Sequence, residues 1–94
     1  MSEISINRPH HTTLKKARKG AEHIAEELGE EFGISYEWDG NTLHFQRTGV
    51  SGHIEVGKKD VDIRVRLGFL LMALGPRIEK EINRFCDENF GPAG

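Results

Sequence analysis

Apolar and polar positions alternate in five short stretches of the chain and recur at helical spacing in two longer ones. Ile4 and Ile6 alternate with Glu3, Ser5 and Asn7, the period of a half-buried strand. Arg8-Pro9 is expected to end it, because proline has no N–H for a ladder. Leu14, Ala17, Ala21, Ile24, Ala25, Leu28 and Phe32 then return to one side of a helix. Thr12 or Thr13 can cap its start through a hydroxyl, and Gly33 stops it. Four alternating stretches follow, carried by Ile34, Tyr36 and Trp38; by Leu43 and Phe45; by Val50, Gly52, Ile54 and Val56; and by Val61, Ile63, Val65 and Leu67. Asp39-Gly40-Asn41, Thr48-Gly49 and Lys58-Lys59-Asp60 separate them with turn chemistry.

Parity limits how these strands pair, since a one-residue slip moves every side chain to the other face. A two-residue loop at Thr48-Gly49 sets Phe45 opposite Gly52 and Leu43 opposite Ile54; a four-residue loop also keeps the faces matched, and a three-residue loop needs a bulge. For the third turn, a Lys59-Asp60 loop sets Glu55 against Arg64, whereas a shift by two sets it against Asp62. Charge complementarity favours the first. One face of the meander is then apolar, and the other carries Glu37, His44, Gln46, His53, Glu55, Asp62, Arg64 and Arg66.

Beyond Leu67-Gly68 the chain enters FLLMAL, then Gly75-Pro76. Proline suits the first turn of a helix and disrupts an interior. Either a short helix ends near Leu74 and a second starts at Pro76, or one long helix kinks there. Ile78, Ile82, Phe85, Cys86 and Phe90 form the final apolar stripe. The expected fold is α+β with order β-α-β-β-β-β-α. A curved antiparallel five-stranded sheet (order 1-5-4-3-2) carries two helices packed on one face, a helix-grip-like layout. Residues 1–90 form one domain, and 91–94 a frayed tail.

Composition narrows the functional classes. Of 94 residues, 36% are hydrophobic and 30% charged, and the formal net charge of −2 supplies no global basic field for nucleic acid. The lone cysteine excludes an internal disulfide and fits a reducing cytoplasm. The first residues lack a signal-peptide core, and Phe69–Leu74 is far shorter than the roughly 20 residues of a spanning helix. The expectation is a soluble protein, or one that at most sits on a surface, with no transmembrane segment.

Candidate chemistry is sparse. His44 and His53 oppose each other across two strands with Glu55 nearby, but two exposed histidines without a third clear ligand are ordinary surface, and no metal is expected. Cys86 lies on the apolar stripe, where a buried thiol is inert. Glu37 and Glu55 sit on the solvated face, a poor place to raise a carboxylate pKa. No glycine-rich phosphate loop or nucleophile elbow is present, so no cofactor and no enzymatic activity are expected. Two features remain. Phe69, Leu70, Leu71, Met72 and Leu74 cover every side of a helix, more than one face can bury. They either fill the core at that corner or form an apolar binding or dimer surface. The first helix starts with Lys15, Lys16, Arg18 and Lys19 and ends with Glu26, Glu27, Glu30 and Glu31, the reverse of what the macrodipole prefers. Each end is disfavoured by about 0.3–1 kcal/mol. This is either a tolerated solvated face, or a charged contact through Lys15, Lys16 and Lys19 to an antiparallel partner or an anionic surface.

Tyr36-Glu37-Trp38, Gly49-Val50-Ser51-Gly52 and Leu67-Gly68-Phe69-Leu70-Leu71 resemble the polyhydroxyalkanoic acid system family, small bacterial proteins of polyhydroxyalkanoate granule gene regions. The likeness runs from Ile6 and Arg8-Pro9-His10 to about Phe90. The lysine-rich start of the first helix departs from the family pattern, which is more acidic or mixed there. The resemblance implies a cytoplasmic bacterial protein linked to polyester storage and brings no catalytic residues. The expected function is that of a non-enzymatic accessory protein, binding the polyester granule surface or a granule-associated protein. A homodimer is a further candidate assembly. The alternative is a small module holding an apolar or acyl ligand between the sheet and the C-terminal helix.

Overall fold

Strand register decides which side chains meet, and here it organises the whole chain. The computed structural model describes residues 2–91, with Ser2 and Leu70 at the backbone level only. Five strands, β1 (Ser2–Pro9), β2 (Ser35–Asp39), β3 (Thr42–Arg47), β4 (Val50–Val56) and β5 (Asp60–Leu67), form one antiparallel sheet in the order β1-β5-β4-β3-β2. Two helices, α1 (Leu14–Phe32) and α2 (Gly75–Phe90), are joined to the sheet's apolar face and to each other. The architecture is the α+β arrangement the hydrophobic pattern predicts. The other sheet face stays open and polar.

Alternation places Ile4, Leu43, Phe45, Val50, Ile54, Val56, Val61, Ile63, Val65 and Leu67 on the covered face, all buried. Ala17, Ala21, Ile24, Ala25 and Leu28 of α1 and Ile78, Ile82, Phe85 and Cys86 of α2 complete a single cluster. Small residues on α1 let the helices approach closely. A Cβ on Gly20 would lie 2.7 Å from Cε1 of Phe90, so the glycine makes room for that ring.

Helix ends follow local chemistry. Thr13 caps α1, its Oγ1 accepting from the Lys16 N–H at 3.1 Å. Gly33 closes α1 in the left-handed region at φ 71°. The β2–β3 turn places Gly40 at φ 63° in its first central position, with no other residue there at positive φ, as a type II′ turn requires. The β3–β4 connection is the two-residue Thr48-Gly49 loop, with Arg47 paired to Val50.

The third turn differs from its expected register. Val56 pairs with Val61 and Glu55 with Asp62, so Lys58-Lys59 forms the loop and Arg64 faces His53. Both registers keep the apolar faces matched, so parity could not choose between them. A like-charge cross-strand pair is worth only tenths of a kcal/mol up to about 1 kcal/mol, and here it is relieved because Arg64 Nε reaches Asp62 at 3.3 Å. The turn is instead fixed by its own ladder and by β1. Gly57 N–H donates to the Asp60 carbonyl at 2.8 Å, Pro9 pairs with Asp60, and His10 N–H donates to the Lys59 carbonyl at 2.8 Å.

Gly75-Pro76 divides two helices rather than kinking one. Phe69–Leu74 is a 3₁₀ segment, and α2 begins at Gly75 with the proline in its first turn. The tail at 91–94 lies outside the described residues except for Gly91, whose N–H donates to the Asp87 carbonyl at 3.1 Å.

Candidate functional site

The two ends of the molecule carry the candidate residues separately. α1 starts where β1 ends, beside the Lys58-Lys59 turn, to which His10 is bonded. It finishes where Arg47 Nη1 donates to the Phe32 carbonyl at 2.6 Å, next to the Thr48-Gly49 turn. A helix of 19 residues spans about 28 Å at about 1.5 Å per residue. The charged candidates Lys15, Lys16 and Lys19 therefore lie at one end, and the apolar candidates of the 3₁₀ segment at the other.

At the apolar end, the 3₁₀ segment is anchored through glycine. Gly68 N–H donates to the Gly49 carbonyl at 2.8 Å, and Leu71 packs over Gly49 so closely that a Cβ there would sit 2.9 Å from Leu71 Cδ1. Leu71 and Leu74 are partly buried against the core. Phe69 is not: it is 83% exposed, and Met72 is 38% exposed. Leu70 falls outside the residues whose side chains are described. The apolar block thus splits between core filling and outward display. Beside Phe69 lies a shallow groove of about 340 Å³ lined by Arg47, Thr48, Gly49, Gly68, Phe69 and Leu71. A wider depression of about 520 Å³ continues past it to Arg66. The tip is therefore an exposed aromatic ring beside a groove that Arg47 lines, whereas Arg66 pairs with Glu3 at 3.6 Å on the open face of the sheet.

At the other end, Lys15, Lys16 and Lys19 are exposed. Arg18 lies over Trp38, its Cζ 4.5 Å from the ring centroid, and the Trp38 indole N–H donates to Glu22 Oε1 at 3.1 Å. Together with Leu14, Lys15 and Lys19 these side chains border a groove of about 460 Å³.

Two polar residues are buried that the strand pattern had not singled out. Arg8 pairs with Asp87 at 2.8 Å and also donates to Asn83 Oδ1 at 3.2 Å and the Gly91 carbonyl at 3.3 Å. His10 sits 2.8 Å from the Gly57 carbonyl through Nε2. A carbonyl can only accept, so Nε2 carries the proton, and Nδ1 is buried without a partner among the described residues. Both share the parity of Ile4 and Ile6, the signal that could have placed them inward. They tie β1 to the last turns of α2 and to the β4–β5 turn.

Cys86 lies in the core, whereas His44 and His53 lie on the other face of the sheet. Burial pushes the Cys86 thiol up to about 11, with Arg8 opposing and Asp87 adding to the shift. His44 and His53 face each other with ring centroids 6.1 Å apart, and Arg64 is the cross-strand neighbour of His53 on the other side. Among the described residues, no group of three or more His, Cys, Asp or Glu could hold a metal ion. Nor is any helix among them long and apolar enough to cross a membrane.

Comparison with known proteins adds one assignment. A search of curated proteins gives no match. The model of the family described as "Putative polyhydroxyalkanoic acid system protein" matches residues 4–90, which takes in all but the first two residues of β1, the other four strands, both helices and the exposed 3₁₀ tip. The chain belongs to that polyhydroxyalkanoic acid system protein family.

Proposed function

We propose that the protein is a non-enzymatic accessory of polyhydroxyalkanoate metabolism that docks on the polyester granule surface through the tip at Phe69–Leu74. The observation that carries this is Phe69, which the 3₁₀ segment holds 83% exposed beside the half-displayed Met72. Moving a phenylalanine ring from water into an apolar phase is favourable by about 1.5–3 kcal/mol. One ring and part of a methionine therefore give weak, reversible adsorption, in the manner of a peripheral rather than an inserted protein. Arg47 lines the groove beside the ring, and its N–H groups beyond the one given to the Phe32 carbonyl can donate to ester carbonyl oxygens or to anions at the same surface. The burial and raised pKa of Cys86 support a binding role over a nucleophilic one.

The alternative, an acyl ligand between sheet and C-terminal helix, lacks room. Ile24, Ile63, Ile78, Ile82 and Phe85 meet there in one cluster, none more than 2% exposed. Fractionation of polyester-accumulating cells tests the granule assignment. The protein is expected to divide between granules and supernatant and to be released from granules by mild detergent. Complete recovery in the soluble fraction would remove the proposal.

A further inference from the structure

The outer face of α1 carries a charge order that the monomer leaves uncompensated. Lys15, Lys16 and Lys19 occupy its first half and Glu26, Glu27 and Glu30 its second, and all six are exposed. Among the described residues, none of the six joins an ion pair. Each half also opposes the macrodipole, with cations at the positive end and carboxylates at the negative end. Lys15 with Lys19, and Glu26 with Glu30, add same-sign repulsion at i,i+4. Among the described residues nothing covers this face, since the core stripe of Ala17, Ala21, Ile24, Ala25 and Leu28 points the other way.

The order is its own complement. The basic and acidic halves are mirrored about Glu22 and His23, the midpoint of the stripe. A two-fold axis there lays a second α1 antiparallel on the first. Lys19 then meets the partner's Glu26 or the partner's Glu27, and Lys15 and Lys16 meet the partner's Glu30. A slip of one residue preserves every attraction, because each half is uniform in sign. A parallel arrangement would instead set lysine against lysine and glutamate against glutamate. Such a contact is isologous, the form that closes as a dimer. It also sets the positive end of each helix beside the negative end of its neighbour, which relieves the mismatch in both.

We propose that the outer face of α1 is a self-recognition surface, pairing two copies of this chain antiparallel through Lys15, Lys16 and Lys19 against Glu26, Glu27 and Glu30. This lies apart from the apolar tip and does not depend on the granule assignment. Being exposed and charged, the contact is sensitive to salt. Sedimentation velocity between about 0.01 M and about 1 M salt, over which the screening length falls from about 30 Å to about 3 Å, should show a dimer converting reversibly to monomer.

Two charge-reversed variants locate the surface. Lys15→Glu with Lys19→Glu, and separately Glu26→Lys with Glu30→Lys, should each sediment as monomer at low salt while keeping the wild-type circular dichroism spectrum. Mixed in equal amounts, the two should form a heterodimer, because positions 15 and 19 of one variant again meet opposite charge at positions 30 and 26 of the other. Phe69→Glu should leave the wild-type dimer intact. A wild-type chain that is monomeric throughout the low-salt range would overturn the proposal. So would a dimer that survives both reversals or dissociates on Phe69→Glu, which would move the interface elsewhere.

Discussion

Arg8 and Cys86 show what single residues contribute where β1 meets α2. Arg8 is buried, while its partner Asp87 is half exposed, so the guanidinium bears most of the desolvation and draws besides on Asn83 Oδ1 and on the carbonyls of Asn83 and Gly91. Arg8→Ala should lower unfolding stability by about 1.5–3 kcal/mol, the range for hydrogen bonds to charged groups. Asp87→Asn should lower it by less than about 1 kcal/mol, as for a solvent-screened pair. Urea unfolding of the two variants checks the asymmetry. Cys86 makes the pH prediction. Its thiol is raised from an ordinary 9.0 to about 11, so between those values the native state holds a proton that the unfolded chain has released. Its contribution is fully present below about pH 9 and is lost as pH rises through about 11. Cys86→Ala should flatten that alkaline decline in stability relative to the parent, and in the parent the thiol should resist alkylation at neutral pH until the protein unfolds. Residue-scale legibility was mixed. Cys86 was readable as a buried thiol because its stripe is helical and apolar. Arg8 and His10 were not, because parity says only that they point inward, and their partners Asp87, Asn83 and Gly57 come from remote elements.

Elements were easier to read than the contacts between them. The 3.6-residue and 2-residue periods located both helices and all five strands, and turn residues marked the β2–β3 and β3–β4 connections, with parity limiting the latter to a two- or four-residue loop. They could not fix β4–β5, where registers two residues apart hide the same side chains. The choice fell to the backbone bonds of Gly57, Asp60 and His10, which no composition rule registers. Close backbone approach was equally hard to read. Gly52 lies on the inner face between Phe45 and Val65, and a Cβ there would overlap the Arg64 carbonyl oxygen and sit 2.8 Å from Phe45 Cζ. Gly52→Ala should therefore lower stability by about 1–3 kcal/mol through overpacking, measured as a drop in denaturation midpoint. Gly49 combines a φ of 84° with the contact to Leu71. Gly49→Val should loosen the 3₁₀ segment from the β3–β4 turn, seen as faster amide exchange at Gly68 and Leu71 with β1 and β5 little affected.

At the scale of the whole molecule, the sheet's open polar face, the charged α1 face and the apolar tip are three separate surfaces on one small core. The sequence marked the tip by counting, since six consecutive apolar residues exceed one buried face. It could not say which of them would emerge. The 3₁₀ geometry turns Leu71 and Leu74 inward and leaves Phe69 and Met72 outside, and that depends on the glycine contact with the β3–β4 turn. The family relation fits a protein of polyester storage, and the tip is where such a protein can meet an apolar phase without unfolding. Because Phe69 contributes little to the core, Phe69→Ser should change unfolding stability by no more than about 0.5 kcal/mol, the usual range for surface substitutions. The proposed docking and folding are therefore separable by mutation.

Co-sedimentation of purified protein with isolated polyhydroxyalkanoate granules tests the tip most directly, comparing the parent chain with a Phe69→Ser, Met72→Ser variant of unchanged stability. The parent should pellet with the granules and the variant should remain in solution. Equal binding of the two, or no binding of the parent, would contradict docking through the 3₁₀ tip.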